Sequence, residues 1–210
     1  MSTLRQLRGL YAITPDDQLP PRLSALVAEA LAGGVRLVQY RNKTAPAPLR
    51  RAQAADLLRL CRASEACLII NDDLELALEI NADGVHLGRD DGDVSAARAS
   101  LGPQKILGVS CYADLGLAAA AARAGADYLA FGSVYPSATK PMAPPAALAL
   151  LGEARRRFGL PIAAIGGIKL DNAAQTIAGG ADLLAVVSDL FDAADIAAQA
   201  RHYTRLFTSS

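Results

Sequence analysis

Strand-length apolar runs alternate with helix-length amphipathic segments along this chain, and that alternation constrains the fold more than any other feature. Gly9 to Thr14 reads as a short buried strand closed by Pro15-Asp16-Asp17. Arg22 to Leu31 carries Leu23, Leu26, Val27, Ala30 and Leu31 at helical spacing until Gly33-Gly34 stops it. Val35 to Arg41 then reads as strand, Leu49 to Arg62 as helix, Cys67 to Asn71 as strand and Leu74 to Asn81 as helix. A strand ending on Gly88 and a helix over Asp93 to Leu101 follow. Lys105 to Ser110, Asp127 to Gly132, Pro161 to Ile165 and Asp182 to Val187 complete the strands. Asp114 to Ala124, Ala146 to Phe158, Asn172 to Ala178 and about Ala193 to Leu206 complete the helices, which makes eight strand-helix units. The junctions Ala32-Gly33-Gly34-Val35, Asn81-Ala82-Asp83-Gly84, Ala124-Gly125-Ala126-Asp127 and Ala178-Gly179-Gly180-Ala181-Asp182 recur at roughly every second unit. Alternate strands of a closed eight-stranded barrel occupy equivalent layers, so a two-unit echo suits that fold. The expectation is therefore an α/β protein, a single (β/α)8 TIM barrel spanning residues 1–210 as one domain, with an open doubly wound sheet as the alternative.

Composition narrows the function. With 21 basic against 21 acidic residues the formal charge is zero, so no basic surface is on offer to nucleic acid or an anionic membrane. Cys61, Cys67 and Cys111 have no C-x-x-C spacing. Arg5 and Arg8 precede a run too short for a secretory signal, and Leu115 to Ala122 is interrupted by Arg123 and Asp127 before it could span a bilayer. A cytoplasmic protein acting on small molecules is expected; a homo-oligomer stays open.

The strand ends carry the chemistry. Sites in such sheets lie at the carboxyl ends of the strands. The apolar run Cys67 to Ile70 stops on Asn71-Asp72-Asp73 and the next stops on Gly88-Arg89-Asp90-Asp91, which places carboxylates at adjacent ends. Asp72 or Asp73 alone could be a helix N-cap and Asp91 alone could be loop solvation. As a pair, Asp72 and Asp91 suit Mg2+, which binds one or two carboxylates while substrate phosphates supply further ligands. Asn71 shares the strand end of Asp72, and Gln39, Arg41, Lys43, Ser110, Ser137, Thr139, Lys140, Gly166, Gly167, Val187 and Ser188 follow other strands. Arg41 and Lys43 could each be ordinary solvated charge, and Gly-Gly is often only a tight turn. In an eight-unit barrel, however, Gly166-Gly167 and the amides near Ser188 fall after strands seven and eight, the usual phosphate cradle. The stretch Pro136 to Pro145 is long enough for a functional lid.

The ordered set Gln39-Tyr40-Arg41-Asn42-Lys43, Asn71-Asp72-Asp73, Ala82-Asp83-Gly84-Val85-His86-Leu87-Gly88 with Asp91, Gly108-Val109-Ser110, Thr139-Lys140 and Ala164-Ile165-Gly166-Gly167-Ile168 resembles the motifs of the thiamine phosphate synthase (thiamine-phosphate pyrophosphorylase) family. The resemblance runs from about Leu10 to Phe191. It implies a TIM-barrel transferase that joins 4-amino-2-methyl-5-hydroxymethylpyrimidine diphosphate to a thiazole phosphate, in its carboxylated or decarboxylated form, giving thiamine phosphate and pyrophosphate. It further implies that Gln39 contacts the aminopyrimidine and that Arg41, Lys43, Asn71 and Lys140 hold the pyrophosphate beside Ser110. Asp72 and Asp91 would bind Mg2+. Ser137, Thr139, Gly167, Val187 and Ser188 would bind the thiazole phosphate. Arg41, Lys43, Lys140 and Ser110 are the expected catalytic set. Tyr40, Arg89, Ser133 and Ser137 depart from the family's common Leu, Gln, Pro and Thr; Ser137 keeps the hydroxyl, and Ser133 leaves the start of its loop less rigid.

This chemistry needs no protein nucleophile, so Cys111 is expected to be packing, His86 a hydrogen-bonded strand residue under the site and His202 a surface residue. Two alternatives are a thiazole tautomerase of the same superfamily and a non-catalytic sensor of phosphorylated ligands. Both predict decay of the acidic and basic set. The tautomerase relatives carry a His two residues after the strand-five serine, where this chain has Tyr112.

Overall fold

The computed structural model describes residues 7–136 and 148–208. In chain order the elements are β1 (Gly9–Ile13), α1 (Pro20–Ala32), β2 (Leu37–Tyr40), α2 (Ala47–Ala63), β3 (Cys67–Asn71), α3 (Leu74–Glu79), β4 (Gly84–Leu87), α4 (Val94–Leu101) and β5 (Ile106–Tyr112). They continue with α5 (Leu115–Arg123), β6 (Tyr128–Gly132), α6 (Leu148–Phe158), β7 (Ile162–Ile165), α7 (Leu170–Ala178), β8 (Leu183–Val186), α8 (Ser188–Phe191) and α9 (Ile196–Arg205). The strands close in sequence order, β1 to β8, into a barrel, so the (β/α)8 expectation holds and the open sheet does not. The described residues pack as two units, Gly9–Val85 with residues 186–208, and residues 7–8 with the described part of His86–Ala185.

In the unit containing Gly9–Val85, β1, β2 and β3 pair in parallel, with Val38 opposite both Ala12 and Leu68. Because both faces of these strands are covered, they read as continuous apolar runs and not as alternation. Leu23 and Val27 of α1, Leu57 of α2 and Leu68 and Ile69 of β3 are fully buried. Each such side chain stabilises the fold by about 2 kcal/mol relative to exposure. In the unit containing His86–Ala185, β5 to β8 pair in parallel around Leu107, Leu129, Phe131, Ala163 and Leu184.

The repeated junctions have a physical cause. Asn81 and Gly125 adopt left-handed backbone, φ 57 and 93, and turn the chain out of helices α3 and α5. The aspartate that follows ties two strands together. Asp83 accepts from the Leu68 N–H at 2.8 Å, Asp127 from Leu107 at 2.7 Å and Asp182 from Ile162 at 3.0 Å, each from the base of an even strand to the preceding odd one. In return the backbone N–H of each aspartate donates to the carbonyl of the same residue. Aspartates also start the helices: Asp73, Asp93, Asp114 and Asp195 accept N–H bonds from the first turns of α3, α4, α5 and α9.

The sequence pattern does not reveal α8, whose four residues are too few for a 3.6-residue period to register. Helices α1 and α2 begin two residues before the expected Arg22 and Leu49, because proline is tolerated in a first helical turn.

Candidate active site

In the unit containing Gly9–Val85, the ends of β1, β2 and β3 hold much of the expected charged set. Gln39 is buried in β2, and its amide donates to the Tyr11 hydroxyl at 2.7 Å, which fixes the side chain before any ligand arrives. Arg41 is held by its backbone: its N–H donates to Thr14 Oγ1 at 2.9 Å, and that hydroxyl donates to the Arg41 carbonyl at 3.0 Å. The Arg41 guanidinium lies 3.3 Å from Asp16, whose carboxylate also accepts the Lys43 N–H at 3.2 Å. Lys43 Nζ lies 3.1 Å from Asp72 Oδ2. Asn42 between them is structural, since its buried amide donates to the Asp17 carbonyl and accepts from the Thr44 and Ala45 N–H groups.

The two aspartates after β3 divide their work. Asp73 is the N-cap, accepting from Leu76 N–H at 2.9 Å. Asp72 does not cap; it sits at φ 64 with its carboxylate against Lys43. Asn71 is the last residue of β3 and half-buried. Val187 and Ser188 stand at the entry to α8, which is pinned to α9 because the Asp189 carboxylate accepts from Tyr203 OH at 2.6 Å and from Gln199 Nε2 at 2.8 Å.

In the unit containing His86–Ala185, Asp91 lies on the exposed loop after β4, where its Oδ2 accepts the Gly88 N–H at 3.0 Å. The Arg89 guanidinium covers the Tyr112 ring at 4.9 Å, so Tyr112, itself at φ 55, braces that loop. Ser110 of β5 is bonded to His86 across 2.9 Å. After β7, Gly166 and Gly167 adopt φ 99 and 64. This turn is more than a tight bend. The stretch after β6 lies against it, with Val134 N–H donating to the Ile165 carbonyl at 3.0 Å and Tyr135 N–H to the Gly166 carbonyl at 3.1 Å. A Cβ at Gly167 would fall 2.5 Å from the Pro136 carbonyl oxygen. The Asn172 amide donates to the Gly167 carbonyl at 3.0 Å and holds the turn from α7.

Ser137, Thr139 and Lys140, with the lid expected over Pro136 to Pro145, lie outside the described residues except for Pro136. No motif in the sequence marks Asp16, Thr14 or Tyr11 as supports of these side chains. Asp16 could have been found by its place at the end of β1. Burial pushes the Cys111 thiol up to about 12, and it points at the Val109 carbonyl, so it packs and does not act as a nucleophile.

The carboxylate donors of Asp72 and Asp91 are hard oxygens of the kind Mg2+ selects. Among the described residues no group of three or more His, Cys, Asp or Glu side chains forms a closed cage.

The fold is a closed (β/α)8 barrel whose strand ends carry charged side chains and a glycine turn, an architecture that serves as an enzyme scaffold. The chain belongs to the thiamine monophosphate synthase family, which matches residues 10–190. It is 55% identical to the thiamine-phosphate synthase of Methylobacillus flagellatus over 98% of each chain. It is 57% identical to that of Aromatoleum aromaticum over 96% of this chain and 97% of the relative. A solved structure of thiamine phosphate pyrophosphorylase from Pyrococcus furiosus superposes with a TM-score of 0.87 at 33% identity, covering 99% of this chain and 98% of that one. The protein is a transferase of this family. Among the described residues no helix is long and apolar enough to cross a membrane.

Proposed function

We propose that this transferase condenses 4-amino-2-methyl-5-hydroxymethylpyrimidine diphosphate with a thiazole phosphate, releasing pyrophosphate and forming thiamine phosphate in the cytoplasm, as a single-domain barrel. The observation that carries the reading is the set Arg41, Lys43 and Asp72 at the ends of β2 and β3, the residue types that a diphosphate leaving group and its cation require. The names of relatives more than half identical to this chain support the same substrates.

Bond breaking is dissociative in this scheme. The bond between the pyrimidine methylene carbon and the diphosphate oxygen breaks with both electrons going to oxygen, and the thiazole nitrogen then supplies the pair for the new carbon-nitrogen bond. No proton transfer and no protein nucleophile are needed. Arg41, Lys43, Asn71 and Lys140 hold the departing pyrophosphate and meet its growing charge, with Ser110 beside it. Gln39, fixed by Tyr11, orients the aminopyrimidine. Asp72 and Asp91 would hold Mg2+, which when bound would supply charge neutralisation for the leaving group. Ser137, Thr139 and the backbone at Gly167, Val187 and Ser188 hold the thiazole phosphate, and the left-handed glycine turn at Gly166-Gly167 suits an anion. The pairing of Lys43 with Asp72 does not oppose this. Lys43 is 57% exposed, and an exposed ion pair contributes only about 0–1 kcal/mol, so a phosphate oxygen displaces it at little cost.

The test is continuous measurement of pyrophosphate release. Release that needs both the pyrimidine diphosphate and a divalent cation, and stops in excess chelator, is expected. Full activity in chelator would remove Asp72 and Asp91 from their proposed role.

A further inference from the structure

His86, buried in β4, has a partner on each ring nitrogen: Nδ1 lies 2.9 Å from the Tyr128 hydroxyl and Nε2 lies 2.9 Å from Ser110 Oγ. The His86 and Tyr128 rings also stack, with centroids 5.6 Å apart. Tyr128 is fully buried and reaches His86 by crossing β5 at Gly108, where a Cβ would fall 2.0 Å from the Tyr128 ring. The glycine of the Gly108-Val109-Ser110 motif is thus required by the phenol. An apolar core would not need any of these groups, and burying them is costly unless each bond is satisfied. Burial lowers the imidazole pKa to about 4, with Asp91 a smaller opposing influence, so the ring is neutral near pH 7 and carries a single N–H.

One N–H serves two neighbours in only two ways. If Nδ1 carries the proton, Ser110 must donate to Nε2, and its oxygen then offers only lone pairs to an incoming anion. If Nε2 carries it, Ser110 accepts from His86 and its own O–H is released toward the ligand, while the Tyr128 O–H donates to Nδ1. Only the second arrangement helps to bind a phosphate oxygen.

We propose that Tyr128 and His86 are positioning residues that hold Ser110 in the donor orientation toward the pyrophosphate oxygens, with Tyr128 selecting the Nε2–H tautomer. This rests on the reading of Ser110 as a pyrophosphate contact.

Nitrogen-15 NMR of labelled histidine tests the tautomer without substrate. The chain has two histidines, so spectra of the wild type and His202→Gln assign the His86 signals. A protonated Nε2 and an unprotonated Nδ1 at pH 7 are expected; the reverse overturns the proposal. Kinetics test the consequence. Tyr128→Phe should lower the rate of pyrophosphate release about tenfold, the effect of one mis-set hydrogen bond, with KM for the thiazole phosphate unchanged. In a Ser110→Ala background the same change should cost nothing further. His86→Gln, which keeps an amide donor near the Nε2 position, should retain more activity than His86→Asn, which does not reach Ser110. Equal losses from Tyr128→Phe in both backgrounds would mean a purely structural role and overturn the proposal. A wild type that released no pyrophosphate would instead overturn the reading beneath it, whatever the tautomer.

Discussion

Lys43 Nζ lies 3.1 Å from Asp72 Oδ2, and Asp72 holds that position from a left-handed backbone at φ 64 that a non-glycine residue seldom adopts. The neighbouring Asp73 takes the helix cap, so the strain at Asp72 is not there to start α3. Strain of this kind gathers where a side chain must be aimed.

Asparagine tolerates the left-handed region but does not replace a carboxylate. Asp72→Asn should therefore melt with the wild type and lose roughly a hundredfold in rate, about 3 kcal/mol of transition-state stabilisation. Asp72→Ala should add a stability loss of about 1 kcal/mol from its backbone alone. Paired thermal melts and initial rates check both; an Asp72→Asn protein with full activity would remove the carboxylate from the mechanism.

Arg41→Ala and Lys43→Ala should impair the diphosphate half of the reaction and leave affinity for the thiazole phosphate nearly intact. Titration calorimetry with each substrate separately distinguishes the halves. Arg41→Ala should do more damage, because its backbone is locked by Thr14 and it is less exposed than Lys43.

At Gly167 two costs coincide, a positive φ and a Cβ 2.5 Å from the Pro136 carbonyl oxygen. Gly159 shares the positive φ, at 65, but a Cβ there meets nothing within 4 Å. Gly159→Ala should lower stability by about 1 kcal/mol, the backbone effect alone. Gly167→Ala should exceed it in denaturant titrations and also weaken the thiazole phosphate. Equal stability losses would show that the stretch after β6 does not press on the turn.

His86 titrates near 6.5 when unfolded and near 4 when folded, because burial disfavours its charge. The unfolded chain therefore binds the proton first, and the stability associated with the neutral ring is fully present above about pH 6.5 and is lost as pH falls toward 4. The loss is at most about 3 kcal/mol. Melting temperatures from pH 7 to 4 should fall less steeply for His86→Gln than for the wild type; identical slopes would mean that another group controls the acid limb.

Much of this was legible because both signals are local. Strand ends at Asn71-Asp72 and Ile165-Gly166 are visible wherever an apolar run meets a polar residue or a glycine. What stayed hidden depends on partners distant in sequence. The junction aspartates looked like part of a helix stop, yet Asp83, Asp127 and Asp182 bind strands 15 to 20 residues away. Tyr128 read as an apolar strand residue, since nothing in Asp127-Tyr128-Leu129 announces that its hydroxyl meets His86 42 residues earlier. Asp16 read as a strand terminator, although its carboxylate braces Arg41 and the Lys43 backbone 25 and 27 residues on.

In the proposed reaction the protein makes a carbon-nitrogen bond at the expense of a diphosphate. Incubating the purified protein with the pyrimidine diphosphate, the thiazole phosphate and Mg2+, and quantifying products by mass spectrometry, tests it most directly. Thiamine phosphate and pyrophosphate in equal amounts are expected. Conversion of a thiazole tautomer to its aromatic form with no pyrophosphate released would contradict it.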